Sequence, residues 1–152
     1  MEVETRLVFP GLSPLYRRLA PYGYALLRAA GGLIMMPHGA PKLFGSFAPI
    51  LAKNVLAPLG FPAPLAWAYW LGTLEVFGGA MLALGLFTRP LAAMFAVESA
   101  IIALFVAWPK GWFYSAPGGG FEYPLMLFVI FLVILVHGGG RLALDRIIGW
   151  EV

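Results

Sequence analysis

The sequence predicts an all-α integral membrane protein: a bundle of four transmembrane helices, with short amphipathic interfacial helices in the first outer loop and at the C-terminus. Three observations lead there. First, 61% of the 152 residues are hydrophobic and only 11% are charged, with a mean hydropathy of +0.87. Soluble domains are roughly half apolar and about a quarter charged, so this chain has too few polar groups to cover a water-facing surface of its size. Second, four apolar stretches approach the length needed to cross a hydrocarbon layer of about 30 Å. Third, prolines and glycines gather between those stretches, where helices must stop and turn.

In chain order, residues 1–20 are a lead-in carrying Glu2, Glu4, Arg6, Arg17 and Arg18, without the apolar segment of a cleavable signal peptide. The first span is expected from Tyr22 to His38, closed by Pro37 and Pro41. The connection 42–64 follows, and within it Phe47 to Leu56 makes an amphipathic interfacial helix with Lys53 and Asn54 on its wet side. The second span is expected from Leu65 to Phe87. A tight Phe87-Thr88-Arg89 turn leads to Pro90 at the first position of the third helix, which makes helices two and three antiparallel neighbours. That third span runs to Trp108. The fourth, Phe121 to His137, lies between two glycine triplets, and its 17 residues are near the shortest that can span. Residues 141–152 read as a surface helix, with Leu142, Leu144, Ile147 and Ile148 opposite Arg141, Asp145 and Arg146, and Trp150 at the headgroup level. One membrane domain covers residues 1–152.

Four spans place both termini on one side. That side carries Arg6, Arg17, Arg18, Arg89, Arg141 and Arg146, against Lys42, Lys53 and Lys110 on the other. Positive charge accumulates on the cytoplasmic face, so the expected topology has both termini in the cytoplasm of a bacterial inner membrane. The basic residues are scattered singly, with no stripe for nucleic acid to follow.

Arg28, Glu75 and Glu98 fall inside the expected spans. A charge at mid-bilayer costs roughly 2.5–3.5 kcal/mol on insertion scales unless paired or hydrated, so the three form a candidate intramembrane polar cluster. Arg28 has Gly31 and Gly32 at helical spacing, and Glu75 has Gly72, Gly78 and Gly79. Small residues on one face mark close helix packing in membranes, which points both charges into the bundle. Glu98 has bulky neighbours, Met94, Phe95, Ile101 and Ile102, and faces a cavity, a partner chain or a packed pocket. The cluster is either an ion pair that orients the helices or a polar pocket for a lipid-soluble ligand or a proton.

His38 and His137 are the only histidines and are expected at opposite membrane faces, so they cannot share one haem iron. The chain has no cysteine, which removes thiolate metal sites and disulfides; no metal centre is expected. Trp67, Trp70, Trp108 and Trp112, with Tyr123, gather at the outer helix ends. They form an aromatic belt or an apolar slot for a quinone or isoprenoid head group, with His38 and Glu122 as polar handles.

Three stretches together resemble the DoxX family of small bacterial membrane proteins. These are Pro37-His38-Gly39-Ala40-Pro41-Lys42-Leu43-Phe44-Gly45; Leu74-Glu75 through Gly78-Gly79 to Leu84-Gly85-Leu86-Phe87-Thr88-Arg89-Pro90; and Gly119-Gly120-Phe121-Glu122-Tyr123-Pro124 followed by Leu144-Asp145-Arg146. The resemblance implies a four-helix membrane bundle that serves quinone-linked membrane oxidoreductases. It carries over Glu75, His38, Glu122, Tyr123 and Asp145 as candidate functional residues. On this reading the protein is an accessory subunit with a quinone or lipid ligand, a protein partner that supplies redox chemistry, and a tendency to self-associate. The alternatives are a scaffold, or a small quinone-reducing enzyme that would need a bound flavin or metal.

Overall fold

A computed structural model describes residues 7–115 and 117–149; Glu2, Glu4, Arg6 and Trp150, used above, lie outside them. Among the described residues every regular element is helical. Helix α1 spans Ser13–Leu43, and α2 spans Phe47–Leu56. Helix α3 joins Pro64–Thr73, a π-helical turn Leu74–Gly78 and Gly79–Leu84 with helical dihedrals throughout. Helix α4 is Thr88–Lys110, α5 is Glu122–His137 and α6 is the short Leu144–Ile148.

The predicted helices are all present, and several boundaries move. Pro37 and Pro41 lie inside α1 rather than after it. Each proline frees one carbonyl, those of Leu33 and Pro37, but the helical ladder resumes beyond them, with the N–H of Phe44 bonding the Ala40 carbonyl past Pro41. Pro90 occupies the third position of α4, because helical geometry already begins at Thr88. The turn between α3 and α4 is therefore Gly85–Phe87, with Gly85 at φ +74° and Phe87 at φ +49°. A left-handed phenylalanine is strained; the Asp145 carboxylate holds it by accepting the N–H groups of Phe87 (2.7 Å) and Thr88 (2.9 Å), while Asp145 N–H returns a bond to the Gly85 carbonyl. The C-terminal helix is shorter than predicted, and Lys53 and Asn54 of α2 are exposed as expected.

By length and composition, α4 is the one helix among the described residues long and apolar enough to cross a membrane; α5 is apolar but has 16 residues. Arg28, His38 and three internal prolines dilute α1, and Glu75 dilutes α3. The inner faces of α3, α4 and α5 bury Leu82, Phe95, Phe131 and Ile134, with the Phe95 and Phe131 rings stacked at 5.1 Å. Large apolar side chains such as Phe105, Leu104, Val129 and Val136 remain exposed on the outside, the inverse of a water-facing surface.

Helices α1 and α3 meet antiparallel along a glycine seam. A Cβ added to Gly32 would lie 2.3 Å from the Gly79 carbonyl oxygen, and one added to Gly39 would lie 2.8 Å from that of Gly72. The seven-residue step from Gly32 to Gly39 is matched by the step back from Gly79 to Gly72, so two turns of each backbone touch directly. Gly31 and Gly78 face elsewhere: Gly31 packs on Phe131 and Ile134 of α5, Gly78 on Leu91 of α4.

Candidate functional site

The three charges expected inside the membrane do not form one cluster. Arg28 sits where α3 and α5 end. Its guanidinium donates to the carbonyls of Gly139, Leu142 (3.1 Å) and Ala83 (3.4 Å). Those are carbonyls at or just beyond helix C-termini, which have no partner within their own helices. Helix α1 begins at Ser13, ahead of the expected start at Tyr22, and its first turns are exposed. Arg28 is thus a rim residue, buried against the 138–142 segment. Beside it the Tyr24 hydroxyl donates to the Gly138 carbonyl.

The buried ion pair is Lys42 with Glu75. Lys42 was expected on the outer surface; extension of α1 to Leu43 places it inside, three residues after Gly39 on the same face. Lys42 and Arg28 are roughly 21 Å apart along α1, at 1.5 Å per residue, so Arg28 cannot reach the glutamates. The seam fixes Lys42: Gly72 leaves room for its stem, with a hypothetical Cβ there 2.9 Å from Lys42 Cβ, and Gly39 leaves room for the Glu75 Cβ. Glu75 itself rides on the π-helical turn of α3, a local widening often found at functional positions.

Glu98 of α4 faces this pair, close enough to feel the charges of both Glu75 and Lys42. Ten residues from Thr88, it lies about 15 Å along α4 from the helix start. Glu75 is 1% exposed and Glu98 7%, and three of their four carboxyl oxygens (Glu75 Oε2 and both of Glu98) have no hydrogen-bond partner. Buried polar groups are nearly always paired, and the Glu75 and Glu98 carboxyls lie within hydrogen-bonding reach of each other, a contact that takes one proton.

Two cavities meet there. The larger, about 380 Å³, has Lys42 and Glu98 in its wall and is otherwise almost wholly apolar, bounded by Trp67, Trp70, Leu74 and Met94 among others. Trp70, Met94 and Val97 are exposed, so it opens sideways between α3 and α4, with α2 and Phe61 above. The bulky neighbours of Glu98, namely Met94, Ile101 and Ile102, form part of this wall. The smaller cavity, about 190 Å³, is bounded by Glu75, Ser99, His38 and Tyr123, by Lys110 at the end of α4 and by the loop residues Tyr114 and Gly118–Gly120. Ile102 and Val106 belong to both walls.

The remaining candidates divide accordingly. Trp67 and Trp70 line the apolar cavity, whereas Trp108 and Trp112 pack on Phe121 with ring centres 4.5 and 5.1 Å away. His38 bonds the carbonyl of Ile34 in its own helix and stacks on Tyr123 at 6.1 Å. The Glu122 carboxylate accepts the Tyr114 N–H at 2.7 Å and orders the loop before α5, so its contact is structural. Asp145 holds the α3–α4 turn, away from both cavities. Among the described residues no group of three His, Cys, Asp or Glu side chains is placed to hold a metal ion.

Sequence reasoning missed Lys42, Gly39 and Ser99. The available signal was the matched seven-residue glycine spacing on the two helices, which requires α1 to run through Pro37.

Comparison with known proteins agrees with the resemblance drawn from the motifs. The family model described as DoxX matches residues 23–108, which takes in Lys42, Glu75 and Glu98 and stops short of the stretches at Gly119–Pro124 and Leu144–Arg146. A protein of Haemophilus influenzae, described as uncharacterized, is 35% identical over 128 residues, covering 83% of this chain and 90% of that one. No solved structure matches.

Proposed function

The chain belongs to the DoxX family of membrane proteins, and from that premise we propose that it is a four-helix accessory subunit of a quinone-linked oxidoreductase system in the bacterial inner membrane, with a quinone or a similar isoprenoid lipid seated in the apolar cavity. The observation that carries this reading is Glu98: nine-tenths buried, with no donor to its carboxyl oxygens but the neighbouring Glu75 carboxyl, at the inner wall of a cavity that opens sideways toward lipid. Such a site suits a molecule with an apolar body and a polar head. The body rests on Trp67, Trp70 and aliphatic side chains, and the head meets a carboxyl acceptor and the Lys42 ammonium.

Four membrane crossings fit the arrangement of the described helices. Helices α1, α3, α4 and α5 alternate in direction, and their outward faces carry exposed Leu, Phe and Val side chains. Helices α1 and α3 are less apolar than α4 because they carry the buried polar residues, which cost less when paired inside a bundle than in lipid. With Lys42 buried, the exposed charges sharpen the topology: Lys53 and Lys110 at one end, Arg17, Arg18, Arg141 and Arg146 at the other. Both termini then face the cytoplasm.

The redox centre of the system is assigned to a partner chain. Gentle extraction from native membranes, followed by mass spectrometry of bound lipids and co-purifying chains, tests this. The expected result is a quinone near one per chain together with a stoichiometric oxidoreductase subunit. A chain carrying only bulk phospholipid and no partner would overturn the proposal in favour of a scaffold.

A further inference from the structure

We infer that Glu75 and Glu98 share one proton and pass it between the two cavities, so that the apolar cavity exchanges protons with water on the loop side of the bundle. The inference rests on the proposal that the apolar cavity takes a lipid-soluble ligand, but its first test needs no ligand. The two glutamates open on different sides of one partition: Glu98 lines the apolar cavity and Glu75 lines the loop-side cavity, with Ile102 and Val106 common to both walls. The pair is deeply buried with three free carboxyl oxygens. One ammonium, Lys42, faces both carboxyls.

Charge counting then selects the protonation state. Two carboxylates against one ammonium leave a net buried negative charge, which is costly in a medium of low dielectric. One added proton makes the trio neutral, and it stays neutral whichever carboxyl holds that proton. Moving the proton between them therefore changes no net charge, which is what a relay through a membrane interior requires. The other titratable groups on the path are His38 from α1, Lys110 from the end of α4, Tyr123 from α5 and Tyr114 from the loop, all around the loop-side cavity. In transfer, the O–H bond of Glu98 breaks as the proton passes to the oxyanion of a quinone that the partner oxidoreductase has already reduced. Glu98 regains one from the Glu75 side, and Glu75 is recharged by a buffer acid in the loop-side water. No electron moves in this step.

The test is infrared spectroscopy of the full chain in lipid nanodiscs at neutral pH, reading the carbonyl stretch of a protonated carboxylic acid. Wild type is expected to show one such band. Glu75→Gln and Glu98→Gln are each expected to abolish it, because Lys42 then balances the single remaining carboxylate. Lys42→Met is expected to double it, because neither carboxyl retains a counterion. Two independent acids would instead leave one band in each Gln variant. A band lost in only one Gln variant, or missing from wild type, overturns the shared proton. The route is read from the rate at which the band shifts in deuterated water: His38→Trp, which narrows the loop-side cavity from an exposed position, should slow it on the order of tenfold. An unchanged rate overturns the loop-side path. If the band behaves as expected and decylubiquinone does not bind, the relay stands and the quinone reading fails.

Discussion

Neighbouring glycines in α1 should respond to alanine in opposite directions. At Gly32 a new Cβ would lie 2.3 Å from the Gly79 carbonyl oxygen and 2.7 Å from the Ala83 nitrogen, both main-chain atoms that cannot rotate away. Relieving the clash to an ordinary contact separates α1 from α3 by about 1 Å, enough to forfeit a quarter to a half of each dispersion contact along the seam. It also stretches the Arg28–Ala83 bond beyond its present 3.4 Å. Overpacking of this kind costs typically 1–3 kcal/mol. At Gly31 the nearest atoms are side-chain carbons of Phe131, Ile134 and Ile130 at 3.4–3.6 Å, an ordinary packing distance. Alanine there is accommodated and gains roughly 0.5–1 kcal/mol of helix propensity. The two variants should therefore differ by about 1.5–4 kcal/mol in reversible unfolding by sodium dodecyl sulfate in mixed micelles, followed by circular dichroism. Equal stabilities, or a destabilised Gly31→Ala beside a neutral Gly32→Ala, would refute the glycine seam.

Asp145→Ala removes an acceptor from two N–H groups and should cost about 0.5–2 kcal/mol in the same assay, with faster hydrogen exchange at Phe87 and Thr88; unchanged exchange there would contradict the capping role. Lys42→Met should cost about 3–5 kcal/mol, as for a broken buried pair, whereas Glu75→Gln should cost less because Glu98 can replace it as counterion; the reverse order would show that Glu98 does not face the pair. Arg28→Met leaves the Gly139, Leu142 and Ala83 carbonyls without this donor and should loosen the C-terminal segment while leaving decylubiquinone affinity unchanged, as read by limited proteolysis and tryptophan quenching. A matching loss of affinity would place Arg28 back at the ligand site.

The four long helices were legible because length and apolarity are local properties of a segment. Their ends were not, and the errors share a cause. Pro37 and Pro41 read as stops, yet an apolar helix packed in a bundle carries them. That misplacement put Lys42 outside and left Arg28 as the only basic partner for the glutamates. Glu75 and Glu98 were legible as charges in apolar runs, whereas their partner was not, since a lysine at a helix end looks the same in sequence whether it is solvated or turned inward. The role of Arg28 was hidden for a different reason: it binds main-chain carbonyls more than a hundred residues away at Gly139 and Leu142, and carbonyls leave no mark in a sequence. Glu122 and Asp145 stood out within motifs, but only the folded chain shows that both hold backbone N–H groups.

The central claim, that a quinone-type lipid occupies the apolar cavity beside Glu98, is tested most directly by photolabelling native membrane vesicles with an azido-quinone and mapping the labelled residues by mass spectrometry. Labels concentrated on Trp67, Trp70, Met94 and Val97, and suppressed by excess decylubiquinone, are the predicted result. Labels spread over lipid-facing residues such as Phe105, Leu104 and Val136 in proportion to their exposure, and indifferent to competitor, would contradict it.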